Sequence, residues 1–448
     1  MDLSRRATAI AVSALAMGGV TLLPTHTAAA AGGPGKSSAA AGGPGQSSAA
    51  SPVPSSGWVA SWAASPMAPT ALISAQAEAG FTDQTVRNVV YTSVGGDAFR
   101  VRVSNAFGTS PLTVGAVSVG LVLTGAQLVP GSAHAVTFGG KAAVTIPVGA
   151  QAESDPVAMT VPPLSELAVS LYLPTPTGPA TYHQDAQQTG YVAAGNHAAD
   201  PAATAYTTTT SSWYFVDGLV AHAPRTPGTV VAFGDSITDG YQSQAGANAR
   251  WPNYLARRLQ AAFGGRAPAV VDEGISGNRI LSPSACFGVS AEARFARDAL
   301  SQPGVKDVIL LEGINDIGFS GEPDTGCYTP SNPGVTAAQI EAGYRALIAM
   351  AHARGVKIFA GTLTPFGGSN AGYGGSYGTA HGEELRQQVN AWISASHAFD
   401  AVIDFSAATQ DPADHLYLNP PYNSGDNLHP GDLGYEAMAD AIPLRLVR

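Results

Sequence analysis

Charge is scarce in this sequence, and positive charge is scarcer than negative charge. Only 12% of the 448 residues are charged, and 22 Lys and Arg stand against 32 Asp and Glu, giving a formal net charge of −10. Because the cations are few and unclustered, nucleic acid and anionic membrane surfaces are poor partners. Hydrophobic residues make up 45% of the chain, which argues against disorder throughout. We expect a soluble globular chain of two domains.

Long hydrophobic runs are missing except near the N-terminus. Arg5 and Arg6 precede an apolar run from Ala7 to Leu23, and small residues follow at Ala28–Ala30. This order is typical of a secretory signal peptide. A membrane anchor is the alternative, but the run is shorter than the roughly 20 residues of a spanning helix. We expect a secreted protein that loses residues 1–30 near Ala30, by either the general secretory or the twin-arginine route.

Sequence complexity is low directly after that site. Residues 31–40 read AGGPGKSSAA and residues 41–50 read AGGPGQSSAA, a tandem repeat of small residues, Gly and Pro. This composition is typical of a flexible linker, and two polar copies are too few for a solenoid. We therefore assign residues 31–56 to a linker and exclude them from the fold.

Cysteine is rare. Cys286 and Cys327 are the only two in the chain, and no Cys/His cluster has the spacing of a zinc site. An even number of cysteines in an exported chain favours a disulfide over two buried free thiols. We expect Cys286 and Cys327 to be paired.

Short β-rich runs separated by Gly/Pro turns fill the first half of the remaining chain. Val86–Ser93 and Phe99–Ser104 flank the turn Gly95-Gly96-Asp97, which predicts a β-hairpin. Other predicted strands are Val114–Leu123, Ala142–Pro147, Leu167–Leu173 and Trp213–Val220. We expect an all-β sandwich or jelly-roll domain over residues 57–222.

Strands and helices alternate after residue 228. The predicted strands are Thr229–Phe233, Ala269–Glu273, Asp307–Leu311, Val356–Leu363 and Ala401–Phe405. The predicted helices are Trp251–Phe263, Ala291–Leu300, Ala337–Arg354 and Glu383–Ser396. This alternation predicts an α/β domain over residues 229–448, with a three-layer, flavodoxin-like parallel sheet whose site lies at the carboxyl ends of the strands.

Polar clusters follow these strands. Ser236 comes directly after the first strand, although Gly-Asp-Ser alone is a weak signal. A serine nucleophile needs a base and an anion that orients the base, and Asp426-Asn427-Leu428-His429 supplies both. Acyl transfer also needs donors to the oxyanion. The backbone N–H groups of Ser236 and Gly277 and the side-chain amide of Asn315 are the candidates.

Four blocks, in this order, resemble the SGNH hydrolases, also called the GDSL esterase/lipase family. They are GDSIT with Ser236, SGN with Gly277, GxND with Asn315 and DxxH with Asp426 and His429. The resemblance covers residues 229–445. Through WVASWAASP and VRNVVYTSVGGDAFRVRVSNAFG it extends over 57–446, towards an exported bacterial branch with an N-terminal β domain. Similarity to arylesterases associated with xylan breakdown is less specific.

The resemblance implies a serine esterase that works through an acyl-enzyme. Ser236, His429 and Asp426 would form the catalytic triad, and Ser236, Gly277 and Asn315 the oxyanion hole. It implies no metal and no organic cofactor. We expect a monomer that acts on small acyl or aryl esters, including acetyl groups on plant polysaccharides, without stable membrane insertion.

Other assignments remain open at this point. A lipase or an acyltransferase would use the same triad, and a carbohydrate-binding module would leave the α/β half inert. His415, in the sequence DPADH, is a competing base. We interpret Asp235 as orienting the serine loop and Asp316 as supporting Asn315. Three segments are expected to wall the pocket: Phe319–Pro333, Gly367–Gly378 and the region of Cys286. Four aromatic residues are interpreted as packing in the core or between the domains, with a sugar-stacking platform as the alternative: Trp58, Trp62, Trp213 and Tyr214.

Overall fold

Two kinds of β-sheet make up the chain in a computed structural model, which describes residues 57–323, 326–327 and 334–448. The sheets before residue 223 are antiparallel, and the sheet after residue 228 is parallel. The predicted signal peptide and linker, residues 1–56, lie outside the described residues, as does most of 324–333. Over the described ranges, no helix combines the length and the apolar character needed to cross a bilayer.

The antiparallel part is built from short strands and one five-residue helix, α1 (Ala75–Ala79). Its strands are β1 (Trp58–Ala63), β2 (Gln84–Tyr91), β3 (Gly96–Ser104), β4 (Leu112–Val114), β5 (Ala116–Thr124), β6 (Gln127–Leu128), β7 (His134–Val136), β8 (Val144–Ile146), β9 (Gln151–Glu153), β10 (Val157–Val161), β11 (Glu166–Leu173), β12 (Tyr182–His183), β13 (Gly190–Ala194), β14 (Thr208–Thr210), β15 (Trp213–Tyr214) and β16 (Val216–His222).

Two larger sheets organise these strands. One has the order β1-β16-β3-β10, with β9 also on β3, and the other has the order β14-β13-β2-β11-β5-β6, with β7 also on β5. Two small pairs, β12 with β15 and β4 with β8, complete the described part of this region. The prediction of an antiparallel β-rich N-terminal region is confirmed, whereas its sandwich or jelly-roll arrangement stays a prediction.

The predicted hairpin between β2 and β3 is wrong. The two strands belong to different sheets. The short connection between them leads the chain from one sheet to the other and does not return it alongside β2. Thr92 and Ser93 donate their backbone N–H groups to Ser165 and Ser61 at 2.9 Å. At Gly95 a Cβ atom would lie 2.2 Å from a neighbouring carbonyl oxygen, so a side chain cannot fit at the crossing. The sequence indicated a turn at this position but did not show which strands pair with β2 and β3.

The second part contains the predicted parallel sheet. Its strands are β17 (Thr229–Gly234), β18 (Ala269–Gly274), β19 (Val305–Leu311), β20 (Lys357–Gly361) and β21 (Ala401–Ile403), in the order β18-β17-β19-β20-β21. Its helices are α2 (Ser236–Asp239), α3 (Trp251–Phe263), α4 (Ala291–Asp298), α5 (Ile314–Gly318), α6 (Ala337–His352), α7 (Asn370–Tyr373), α8 (Ala380–Ala395), α9 (Phe405–Thr409) and α10 (Asp432–Asp440), with 3₁₀ turns at Gly264–Arg266 and Leu444–Leu446.

The direction of winding changes at β17, which has β18 on one side and β19 on the other. Parallel sheets of this kind form their sites at such a point, beyond the carboxyl ends of the strands. The predicted parallel α/β fold is therefore confirmed. The point where the winding changes lies at β17, whose carboxyl end is where the site was predicted. The three-layer arrangement and the division into domains at 222–229 stay predictions.

Helix α6 shows how sequence positions these elements. A capping box begins it, since Thr336 accepts the backbone N–H of Gln339 and the Gln339 side chain accepts that of Thr336. Its apolar residues recur at helical spacing, and all are buried in the core: Ile340, Tyr344, Leu347, Ile348 and Ala351.

The antiparallel and parallel parts share buried contacts. Ala60 of β1 lies in the same apolar cluster as the strands of the parallel sheet, and its N–H donates to Pro303 O at 2.9 Å. Val270 N of β18 donates to the Ser93 hydroxyl at 3.0 Å. Trp62 and Trp213 are buried with their rings 4.9 Å apart, which favours packing over a sugar platform for these two residues.

Candidate active site

Ser236 lies where strand β17 turns into helix α2. Asp235 is the N-cap residue of α2, and its Oδ1 accepts the backbone N–H of Ile237 at 3.0 Å. Glycine is needed at position 234, because a Cβ there would lie 2.1 Å from Leu311 O of the adjacent strand. The tight turn places the Ser236 hydroxyl at the carboxyl edge of the sheet, as predicted. Because Asp235 caps the helix that begins with Ser236, its position agrees with the interpretation that it orients the serine loop.

His429 lies next to Ser236 although 193 residues separate them in the chain. The distance from Ser236 Oγ to His429 Nε2 is 2.8 Å, and that from His429 Nδ1 to Asp426 Oδ2 is also 2.8 Å. With an ionised Asp426, Nδ1 carries the proton and Nε2 is left to accept the serine proton. The structure thus joins the three predicted residues in one hydrogen-bonded chain.

The loop before α10 fixes Asp426. Its Oδ1 accepts the backbone N–H groups of Leu428 at 2.9 Å and of His429 at 2.8 Å. Partial burial works to raise the pKa of Asp426, but the side-chain hydrogen bond and charge of His429 outweigh it, together with the two backbone donors. The pKa of Asp426 is therefore well below its usual range, and the carboxylate stays ionised opposite the imidazole.

The predicted oxyanion donors surround the same pocket. Gly277 has φ +74°, and a Cβ at this position would lie 2.4 Å from the Phe287 ring, so only glycine fits. Asn315 Nδ2 donates to Asn278 O at 2.9 Å, and its Oδ1 accepts the hydroxyl of Tyr377. These two bonds fix which end of the amide is the donor, and the second N–H of Nδ2 remains for an oxyanion.

Sequence reasoning missed two tyrosines of the Gly-rich segment 367–378. The Tyr373 hydroxyl donates to Asp426 Oδ2 at 2.8 Å and lies 3.2 Å from His429 Nδ1, while Tyr377 bonds Asn315. Burial raises the pKa of Tyr373, and the negative charge of Asp426 raises it further, so its proton stays in place. The segment was predicted as a pocket wall, but no motif in it singles out a tyrosine.

Asp316 acts elsewhere than we expected. Its carboxylate accepts the backbone N–H groups of Ile280 at 2.8 Å and Leu281 at 3.0 Å, so it anchors the segment that follows Gly277 rather than Asn315 itself. Burial raises its pKa to about 6 in spite of these donors.

Further carboxyl groups are buried behind the serine. Asp235 Oδ2 makes no hydrogen bond to a described residue, and burial raises its pKa to about 7, although the Ile237 N–H opposes this. Burial and the charge of Asp235 likewise raise the pKa of Glu312 well above its usual value. The fully buried guanidinium of Arg294 lies 3.5 Å from the Glu312 carboxyl, and its positive charge partly offsets this rise in the pKa of Glu312.

A pocket of about 250 Å³ opens onto Ser236, Gly277, Asn315 and His429. Four aromatic residues line it: Phe287, Phe319, Tyr373 and Tyr377. Gln184 and Asp185 of the antiparallel part also line it, and sequence reasoning did not single them out.

Cys286 and Cys327 form the expected disulfide, with an S–S distance of 2.03 Å. His415 is exposed and does not line this pocket.

Residues 232–437 match the family model described as GDSL-like Lipase/Acylhydrolase. This region is a GDSL-like lipase/acylhydrolase domain. The predicted resemblance is thereby confirmed, and members of this family are ester hydrolases. No curated protein matches the chain.

Several solved structures are similar to about half of this chain. A protein of the G-D-S-L family from Desulfitobacterium hafniense DCB-2 is 19% identical, with 48% of this chain and 97% of that chain covered and a TM-score of 0.35. Axe2, an acetylxylan esterase from Geobacillus stearothermophilus, is 22% identical, with coverage of 48% and 92% and a TM-score of 0.36. At these values we transfer no substrate from either protein.

Proposed function

We propose that the chain is a secreted serine esterase that hydrolyses carboxylic esters through an acyl-enzyme on Ser236. The observation that carries this proposal is the hydrogen-bonded chain from Ser236 Oγ through His429 to Asp426, with 2.8 Å at each step. It lies in a domain of an ester-hydrolase family and opens onto a pocket.

The first half of the reaction forms the acyl-enzyme. Ser236 Oγ attacks the ester carbonyl carbon as its proton moves to His429 Nε2, and Asp426 stabilises the resulting imidazolium. The N–H groups of Ser236 and Gly277 and the Asn315 amide receive the charge on the carbonyl oxygen. The bond to the alcohol oxygen then breaks as His429 returns the proton to that oxygen.

The second half releases the acid. Water gives a proton to His429 Nε2 and attacks the acyl carbon, and the same donors hold the oxyanion until the bond to Ser236 Oγ breaks. The serine recovers its proton from His429, so the chain ends the cycle unchanged. Every proton in this scheme moves through one imidazole nitrogen, which fits the 2.8 Å distance between His429 Nε2 and Ser236 Oγ.

The aromatic side chains of the pocket support short acyl groups. Phe287 and Phe319 stack with ring centres 5.3 Å apart, and Phe319 meets Tyr377 edge to face at 5.5 Å. We expect kcat/KM on p-nitrophenyl esters to be highest for acetyl to butyryl chains and to fall for longer ones. A profile that rises towards long chains would replace the esterase proposal with a lipase.

Replacement of the serine tests the proposal directly. Ser236→Ala should lower p-nitrophenyl acetate hydrolysis by at least about 10³-fold, because loss of the nucleophile leaves only binding and oxyanion contributions. Ser301→Ala, which removes an exposed hydroxyl from the same domain, is the matched control and should retain wild-type rates. Full activity of the Ser236 variant would rule out the proposed mechanism.

Secretion is tested separately from catalysis. The apolar run after Arg5 and Arg6 supports export, and cleavage near Ala30 follows from the small residues there. N-terminal sequencing of protein recovered from the culture medium should begin close to Ala31. Full-length protein retained inside the cells or in their membranes would contradict this part of the proposal.

A further inference from the structure

Gln184 and Asp185 line the pocket of Ser236 but have no task in the reaction described above. They follow strand β12 of the antiparallel part and lie outside the GDSL-like domain, which begins at residue 232. The pocket wall therefore includes side chains that no catalytic block supplies. Their chemistry, a carboxyl group and an amide, differs from that of the aromatic wall.

Two side chains fix the backbone of this segment against the catalytic part. His183 Nε2 lies 3.0 Å from Asp239 Oδ1, at the end of the helix that begins with Ser236. The guanidinium of Arg250 donates to Asp185 O at 3.1 Å and to Ala186 O at 2.6 Å. Gln184 and Asp185 are thus positioned relative to the nucleophile by bonds from its own helix and the one that follows.

One buried polar atom on this wall, Gln184 Oε1, accepts no hydrogen bond from a described residue. The other end of the same amide, Gln184 Nε2, donates to Asp185 Oδ2 at 3.3 Å. Burial raises the pKa of the Asp185 carboxyl, and the charge of Asp239 adds to this, whereas the nearby Ser276 hydroxyl opposes it. Because an unpaired buried polar atom costs free energy, such a wall is suited to a ligand that brings hydrogen-bonding groups of its own.

The polar wall shares the pocket with Tyr241, whose ring contacts His429. His429 must pass its proton to the alcohol oxygen, and the Tyr241 ring packs on His429 with ring centres 4.8 Å apart. Asp185 and Tyr241 line the same pocket. Two rings of the aromatic wall contact residues that supply oxyanion donors, Phe287 at Gly277 and Tyr377 at Asn315.

We propose that Gln184, Asp185 and Ser276 form a subsite for the alcohol moiety, which selects alcohols that carry a free hydroxyl close to the ester. This inference rests on the proposed esterase function. The antiparallel part then contributes to substrate choice directly, by supplying two of the three side chains. Each hydroxyl of the alcohol would replace a hydrogen bond to water with one to the carboxyl, the amide or the serine.

A matched pair of acetates tests the subsite in the full chain. Glyceryl monoacetate and propyl acetate share the acetyl group and a three-carbon alcohol and differ only in two hydroxyls. The quantity to compare is the hydroxyl preference, defined as kcat/KM for glyceryl monoacetate divided by kcat/KM for propyl acetate. We expect a preference of about 10 or more for the wild type and a fall of about 10-fold in Asp185→Ala, as for the loss of hydrogen bonds to a carboxyl group.

Three further variants complete the experiment. Asp185→Asn keeps the size of the side chain and should lower the preference less, and Ser276→Ala should lower it several-fold. Glu78→Ala removes an exposed carboxylate from helix α1 and should leave the preference at its wild-type value. Thermal melting of each variant checks that the fold is retained.

The outcomes separate the subsite from the reaction itself. A wild type that hydrolyses both acetates equally well, or an unchanged preference in folded Asp185→Ala and Asp185→Asn, overturns the subsite and leaves the esterase proposal standing. Faster hydrolysis of acetylcholine than of glyceryl monoacetate would assign the carboxylate to a cation and also overturn it. If the wild type hydrolyses neither acetate nor p-nitrophenyl acetate, both proposals fail.

Discussion

At the scale of single residues, Asn315 has its amide held at both ends. Tyr377 bonds Oδ1, and Nδ2 bonds Asn278 O, so the amide cannot rotate to present its oxygen to an oxyanion. Asn315→Ala should lower kcat by about 10² to 10³-fold with little change in KM, the usual cost of losing one oxyanion donor. Steady-state kinetics on p-nitrophenyl acetate give both constants, and a change confined to KM would reassign Asn315 to ground-state binding.

Tyr373 holds the carboxylate of Asp426, the acid of the triad. Its hydroxyl shares Asp426 Oδ2 with the His429 imidazole, which fixes the carboxylate plane. Tyr373→Phe should lower kcat by about 3- to 10-fold, as expected when one hydrogen bond of about 1 kcal/mol is lost. Tyr241→Phe is the matched control, because its ring also packs on His429 but no bond joins it to Asp426 within the described residues. Equal effects of the two variants would remove Tyr373 from this role.

The catalytic blocks could be predicted from the sequence because nucleophile, base and anion each need a particular residue type. Ser236 directly follows the first predicted strand, and Asp426 and His429 stand three residues apart before the last helix. Tyr373 and Asp185 could not be found in this way, since each acts from a loop with no period or motif. Both residues reach the site only through the tertiary packing of distant segments, which the local sequence does not show.

At the scale of elements, the buried acids around β17 and β19 make stability depend on pH. Burial raises the pKa of Asp235 to about 7 and that of Asp316 to about 6, above the unfolded value of roughly 4. Between pH 4 and 7 the folded state therefore binds more protons than the unfolded state, and the free energy of unfolding falls as pH rises. Asp426, whose pKa is lowered, acts in the opposite direction only below about pH 4.

Asp235→Asn isolates one of these groups. Asparagine is as good an N-cap as aspartate, so α2 should keep its start, while the buried charge is removed. We expect the loss of stability between pH 5 and pH 8 to be smaller in the variant than in the wild type, as measured by denaturant unfolding at both values. The same pH dependence in both proteins would show that Asp235 is not a source of it.

Period and length predicted the elements of the parallel sheet well. Helix α3 has the predicted bounds Trp251–Phe263, and strand β17 extends the prediction by one residue to Gly234. Pairing of antiparallel strands was harder, because β2 and β3 are adjacent in sequence yet each pairs with strands far along the chain, β2 with β11 and β3 with β16. Backbone hydrogen bonds are the same for every partner, so the choice depends on packing that the sequence shows only indirectly.

At the scale of the whole molecule, we expect the antiparallel part to brace the catalytic part. The Ser65 hydroxyl donates to Glu273 Oε2 at 2.6 Å and accepts from the buried Arg294 guanidinium at 3.0 Å. A chain that starts at Pro227 would lose these contacts and expose the apolar surface that β1 covers. We expect it to aggregate or to melt well below the full chain, whereas removal of residues 1–56 alone should preserve melting temperature and activity.

The contrary result has a clear meaning. If the chain from Pro227 folds well, hydrolyses p-nitrophenyl acetate normally and loses only its activity on insoluble acetylated xylan, then bracing is wrong. The antiparallel part would then serve to bind polymer. Light scattering, thermal melting and the two activity assays on one preparation distinguish these results.

Covalent labelling of the nucleophile tests the central claim most directly. A fluorophosphonate reacts with a serine only where a base activates the hydroxyl and donors hold the phosphoryl oxygen, so it reports the assembled site in the intact chain. We expect one adduct per chain, located on Ser236 by peptide mapping, with loss of esterase activity in proportion to labelling and no adduct in Ser236→Ala. An adduct on another residue, or full activity in the fully labelled protein, would contradict it.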